Sequence, residues 1–201
     1  MKRLQKIALA AALILSLAAA TTTPLSSQAT AELPVLITSI GQSPGPVYFR
    51  VFMNRLGYDF VFNSLATVED IAAGHEDAGA FKSIIIVTGA SGKGMGAAGI
   101  SIADELARAD RLITQARGLG LTIIGAHIEG MERRAQGATP GDNTDELSID
   151  AVCPNADMLL VMEEGNEDGR FSDIASDTGI PIVLFEKLTN LSDVLPTVFG
   201  R

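Results

Sequence analysis

The chain has 201 residues, with 15 Lys and Arg against 24 Asp and Glu, for a formal net charge of −9 at neutral pH. That balance excludes a protein held by nucleic-acid phosphates or anionic lipid headgroups, which need clustered cations. A single cysteine, Cys153, excludes an intrachain disulfide, so stability has to come from packing.

Residues 1–6 carry three positive charges and no acid, and residues 7–20 are apolar except for Ser16. This run is shorter than the roughly 20 apolar residues of a membrane-spanning helix. The polar stretch after it ends in Ala29-Thr30-Ala31, small at the two positions a signal peptidase inspects. The pattern predicts a secretory signal at 1–31, cleaved after Ala31, and one periplasmic or secreted domain at 32–201. An uncleaved anchor is the competing reading. No cysteine stands near the cut for a lipid anchor, and no second long apolar run follows, so no membrane span is expected after cleavage. Removing the signal leaves 12 basic residues against 24 acids, a net charge of −12 over 170 residues. That length suits one domain with a sizeable core.

Along the mature chain, runs rich in Val, Ile and Leu predict strands at 35–40, 58–63, 83–88, 121–126, 158–162 and 180–185. Several are apolar at successive positions, as in strands covered on both faces. Helical spacing alternates with them at 46–56, 68–73, 144–152, 171–177 and 192–198. It is clearest from about Gly99 to Gly118, where Ile102, Leu106, Ala109, Ile113 and Ala116 share a face and Asp104, Glu105, Arg108 and Arg111 fall elsewhere. Alternating strands and helices predict a three-layer α/β sandwich around a mostly parallel sheet of five or six strands, Rossmann-like or flavodoxin-like. Strand order is not readable from the pattern.

Ligands of such sheets bind beyond the carboxyl ends of the strands. The loops expected there contain 41–46 (GQSPGP), 89–96 (GASGKGMG), 127–134 (HIEGMERR) and 163–169 (EEGNEDG). Gly94, Gly96 and Gly99 satisfy G-x-G-x-x-G, but the ribose-binding acid about 20 residues on is missing. Lys93 is followed by Gly94 rather than Ser or Thr, which argues against a P-loop. The likeness of 88–96 to a short-chain dehydrogenase turn fails on glycine spacing and on the absent Y-x-x-x-K. The sequence therefore names no cofactor.

A glycine-rich loop entering a helix still presents backbone amides to an anion, and Lys93 adds a positive charge. Ser91, Gly92, Lys93 and Gly94 are thus candidate ligand-binding residues, unless the glycines serve only turning and packing. Arg133 offers a guanidinium to a carboxylate, whereas Arg134 is read as pinning the following loop through Asp142, Asp145 or Glu146. His127 and Glu129 are the candidate acid–base pair, although a lone histidine also serves simply as a local hydrogen-bonding group. Glu164, Asn166 and Asp168 open like a calcium loop, but Ala175 stands where an EF-hand needs Glu, which leaves only a looser divalent site with Glu129, Asp142 or Asp145. Otherwise Asn166 and Asp168 make a turn and cap the next helix. No Cys/His cluster suits zinc. Ser43 and Ser91 lack a visible triad, and Glu129 with Glu163 is a carboxylate pair only by position. Cys153, beside Pro154, reads either as a small buried filler or as a reactive thiol.

At 127–146 (HIEGMERRAQGATPGDNTDE) and 155–175 (NADMLLVMEEGNEDGRFSDIA), the chain resembles a family of exported bacterial single-domain proteins known only as a domain of unknown function. The resemblance runs from about Pro34 to the C-terminus and is most specific at 127–134 and 156–171. It implies bacterial origin and export, and brings no activity with it.

These readings lead to an exported module that binds a small anionic metabolite and serves a membrane transporter. Lys93, Arg133 and the amides around Gly92 and Gly94 would hold the anion, while Gln42, Glu129 and Asn166 would read its polar groups. A single lobe would need a partner or a homodimer for its second wall. Two alternatives are open: a hydrolase or isomerase using His127 and Glu129, with or without a divalent ion, and an envelope protein-interaction domain.

Overall fold

The computed structural model describes residues 31–134 and 143–201. The predicted signal up to residue 30, and Asp142, lie outside the described residues. The chain forms one parallel sheet of six strands, β1 (Val35–Ile40), β2 (Phe60–Phe62), β3 (Ser83–Thr88), β4 (Thr122–His127), β5 (Met158–Met162) and β6 (Ile182–Phe185). Their order is β2-β1-β3-β4-β5-β6. Between and after them come α1 (Pro46–Leu56), α2 (Val68–Ala73), α3 (Gly92–Ala98), α4 (Ile102–Gly118), α5 (Thr144–Val152), α6 (Arg170–Thr178) and α7 (Leu191–Val198). No helix among the described residues is long and apolar enough to cross a membrane.

Every residue of β1, β3 and β5 is buried, because helices cover both faces of the sheet. Successive strand side chains point to opposite faces, so each apolar run feeds two cores. Val35, Ile37, Ile85, Ile124 and Leu160 pack with Phe49, Phe52 and Met53 of α1 and Leu191 and Leu195 of α7. Leu36, Ile84, Ile86, Ile123 and Leu159 pack with Ile71 of α2, Leu112 of α4, Ile149 of α5 and Phe171 of α6. Complete burial of Phe49 or Phe171 contributes roughly 1.5–3 kcal/mol each. The result is an α/β sandwich of the flavodoxin type, with α1 and α7 on one face and α2, α4, α5 and α6 on the other.

Helix starts follow local chemistry. Pro46 opens α1, reciprocal capping boxes of Thr67 with Asp70 and Ser101 with Asp104 open α2 and α4, and Asn143 caps α5. Two expectations change. The segment 92–98, read as open glycine loop, is the helix α3. The buried face of α4 is rotated from the expected one, so Glu105 and Arg108 face inward with Ala109, Leu112 and Ala116, and Leu106 is only half-buried.

Candidate functional site

Strand order reverses between β1 and β3. From β1 the chain leaves through α1 on one face, and from β3 it proceeds through α4 on the other, so the connecting loops part at the carboxyl ends and leave a crevice. The two loops are stitched at their base. Gln42 and Ala90 form an isolated antiparallel bridge, and the Ser91 N–H donates to the Gly41 carbonyl at 2.7 Å. Gly94 packs so closely on this bridge that a Cβ would collide with the Gln42 carbonyl oxygen, which is why glycine stands there despite its poor helix propensity. Gln42 itself is left-handed (φ 57°), a conformation uncommon for a residue with a side chain. Its Nε2 donates to the Ser64 carbonyl at 2.9 Å and to Glu105 Oε2 at 3.1 Å.

The crevice amides are largely taken by the protein's own acids. The Gly41 N–H donates to Glu105 Oε2 at 2.6 Å, the Gly45 N–H to Glu129 Oε2 at 3.1 Å, and the Ala90 N–H to Asp145 Oδ1 at 2.6 Å. The Gly89 N–H donates to Ser148 Oγ at 3.0 Å. The expected anion seat at Gly92 and Gly94 lies on the first turn of a helix rather than in an open loop. Both residues belong to the short helix α3, and the Gly94 N–H already donates to the capping Ser91 Oγ at 3.0 Å. Burial pushes the Asp145 carboxyl above its usual range, opposed by the Ala90 amide. Glu105 is neutralised by Arg108, whose Nε and Nη2 each lie 2.9 Å from its oxygens. Arg108 also donates to Thr38 Oγ1 and to the Ala66 and Ser39 carbonyls, leaving no cationic face for a ligand.

Two cations remain near the mouth. Arg133 donates from Nη1 to the Ala90 carbonyl at 2.8 Å and holds Nε 3.5 Å from Glu129 Oε1, with its side chain 30 % exposed. Lys93 is exposed on the first turn of α3. Deeper in the β1 loop, Ser43 is 6 % exposed, and its hydroxyl has no hydrogen-bond partner among the described residues.

His127 is fully buried at the end of β4 and stacks on Phe171 with 5.1 Å between ring centroids. Its Nε2 lies 3.0 Å from the Gly130 carbonyl, which can only accept, so Nε2 carries the proton and Nδ1 faces Thr88 Oγ1 at 3.3 Å. Burial lowers its pKa to about 4, with the hydrogen bond to Gly130 opposing. A neutral ring with both nitrogens engaged away from solvent is not placed to exchange protons with a substrate, so an acid–base pairing with Glu129 has no support in this arrangement.

Arg134 lies beneath it. Its Nε donates to Glu146 Oε1 at 2.6 Å and its Nη2 to Asp168 Oδ2 at 2.6 Å, while a further donor reaches the Gly165 carbonyl. The guanidinium also lies over the Phe171 ring. Burial opposes its charge, but the bonds from Asp168 and Glu146 outweigh that and raise its pKa. Arg170 continues the network to Glu146 and Asp150.

Asp168 is therefore engaged in structure, and so is Asn166. The Asn166 Oδ1 accepts the Phe171 N–H at 2.8 Å and its Nδ2 donates to Ser172 Oγ at 2.8 Å. Glu164 is exposed. No group of three or more His, Cys, Asp or Glu side chains among the described residues is arranged to hold a metal ion. Cys153 is buried, and its thiol pKa is pushed up to about 12 by burial, which makes it a packing residue rather than a nucleophile.

Residues 32–199 match the model of a protein family described as a domain of unknown function, DUF6305. The chain belongs to this family. The match bears out the resemblance read at 127–134 and 156–171. Comparison with curated proteins gives no match. In this DUF6305 domain the structure places four of the candidates read from sequence, Gln42, Ser91, Glu129 and Arg133, beside one crevice, together with Gly45, Glu105 and Ser148, which were not among the candidates. Glu105 had a legible signal, since an acid spaced four and seven residues from Ala109 and Leu112 lies in their buried stripe.

Proposed function

We propose that the protein is an exported binding module that holds a small anionic molecule at the β1/β3 crevice and serves a membrane transporter. The observation that carries this reading is the Ser43 hydroxyl, buried and without a partner among the described residues, at the topological switch point of a doubly wound sheet. Buried polar groups are almost always hydrogen-bonded, and an exception calls for a water or a ligand. Arg133 and Lys93 supply positive charge at the same mouth. The crevice is walled by one lobe only, so a second copy or the transporter would complete the enclosure.

A thermal-shift screen of the purified protein against organic anions, phosphates, nucleotides and divalent ions tests this. An organic anion is expected to raise the melting temperature, with about 2.7 kcal/mol of stabilisation at a hundredfold excess over Kd. Arg133→Ala and Lys93→Ala should reduce or remove the shift. A screen without any shift would replace this reading with that of an envelope protein-interaction domain.

A further inference from the structure

We infer that Glu129 sits in the protein's own anion seat, and that the ligand binds through a carboxylate that takes its place. This rests on the crevice reading above and names its ligand class. The seat has three donors of different kinds. The first is the Gly45 N–H, which opens the 11-residue helix α1, whose first turn has no acid and whose cap has no side-chain bond. Glu129 Oε2 accepts that N–H at 3.1 Å, meeting the positive end of the helix from across the crevice. The second is Arg133, which approaches Glu129 Oε1 only to 3.5 Å, longer than a good charge-assisted hydrogen bond. The third is the Ser43 hydroxyl.

Gly89 aligns the third donor with the other two. Its φ of 136° belongs to glycine, and the point where a Cβ would stand is 3.2 Å from Ser43 Oγ and 3.4 Å from Glu129 Oε2. The missing side chain therefore leaves one small space bordered by both groups. A planar carboxylate can span the Gly45 amide and Arg133, because Glu129 already does so. A free carboxylate that entered from the mouth would also meet the unused Ser43 hydroxyl, which the tethered one does not engage. Glu129 thus acts as an intramolecular competitor that lowers apparent affinity by the fraction of time it holds the seat.

The test is calorimetric titration of succinate and, separately, inorganic phosphate into the full chain, E129Q, S43A and the E129Q/S43A double variant. Folding of each is checked by its melting temperature. The glutamine keeps the shape of Glu129 without its charge, so E129Q is expected to bind succinate about tenfold more tightly than the unaltered chain. S43A should weaken succinate binding in both backgrounds without lowering the melting temperature of the free protein. Succinate binding that is unchanged or weakened in E129Q overturns the competitor role and leaves the crevice as a binding site. Phosphate tightened as much as succinate overturns the carboxylate class. No binding of either anion by any variant overturns the crevice reading itself.

Discussion

Glu105 reaches from α4 to the backbone N–H of Gly41, 64 residues earlier in the chain, at 2.6 Å, and the same oxygen lies 2.9 Å from Arg108 Nη2. Helix, strand end and crevice loop are therefore joined through one buried carboxylate. Replacing it leaves the Arg108 guanidinium buried without its counter-charge. Glu105→Gln is expected to cost about 3 kcal/mol of stability, measured by urea unfolding, because removing one member of a buried pair strands the other.

Acid should destabilise the fold through His127. Its folded pKa of about 4 lies below the ordinary 6.5, so the unfolded chain takes up a proton that the folded one refuses. Its contribution is fully present above pH 6.5 and is lost as pH falls from 6.5 toward 4, by roughly 3 kcal/mol in total. Asp168, held below its ordinary 3.8 by Arg134, adds further acid loss only under that value. Unfolding free energy measured between pH 7 and 4 should therefore fall with pH. His127→Gln should flatten that slope whatever it does to absolute stability.

Asn166 distinguishes a structural residue from a ligand-binding one. Its side chain satisfies the Phe171 N–H at the start of α6, so Asn166→Ala should lower stability by about 1 kcal/mol. The same variant should leave any succinate-induced thermal shift unchanged, since its polar atoms face the helix. A lost shift in a folded variant would return Asn166 to the binding site.

Ala31 bears on the predicted cleavage point. It is 1 % exposed, and its N–H donates to the Val198 carbonyl at 2.8 Å, tying the segment before β1 to α7. Cleavage after Ala31 would discard both interactions. A chain starting at Ala31 should be more stable than one starting at Glu32 by about 1 kcal/mol, which differential scanning calorimetry would resolve. N-terminal sequencing of the protein from a secreting host tests the predicted cut: Glu32 at the start bears out cleavage after Ala31, and Thr30 moves the cut to the small pair Ser27 and Ala29, two residues earlier.

How much of this was legible depended on burial. Strands β1, β3 and β5 fall at the residues read from sequence because fully buried parallel strands are apolar throughout. The edge strands β2 and β6 are shorter than their apolar runs, since pairing on one side only ends sooner. Helix α3 was read as loop because three of its seven residues are glycine; its contact with Gln42, 52 residues away, is absent from any local pattern. In the crevice, residue types were legible and their allegiances were not. Arg133, Arg134, Asn166 and His127 are all polar residues near strand ends, yet only Arg133 keeps an exposed cationic face at the mouth.

By itself the sequence determined the alternation of strands and helices, the parallel sheet, the acidic balance and the loops where polar groups gather, because these follow from local periodicity and composition. Only the tertiary structure decided the strand order, the rotation that buries Glu105 and Arg108, the neutral interior place of His127, and the meeting of Ser43, Gly45, Gly89, Glu129 and Arg133. Those outcomes depend on pairing between segments tens of residues apart, where a hydrogen bond of about 3 Å or one missing Cβ selects the partner, and no local window of residues contains that distance.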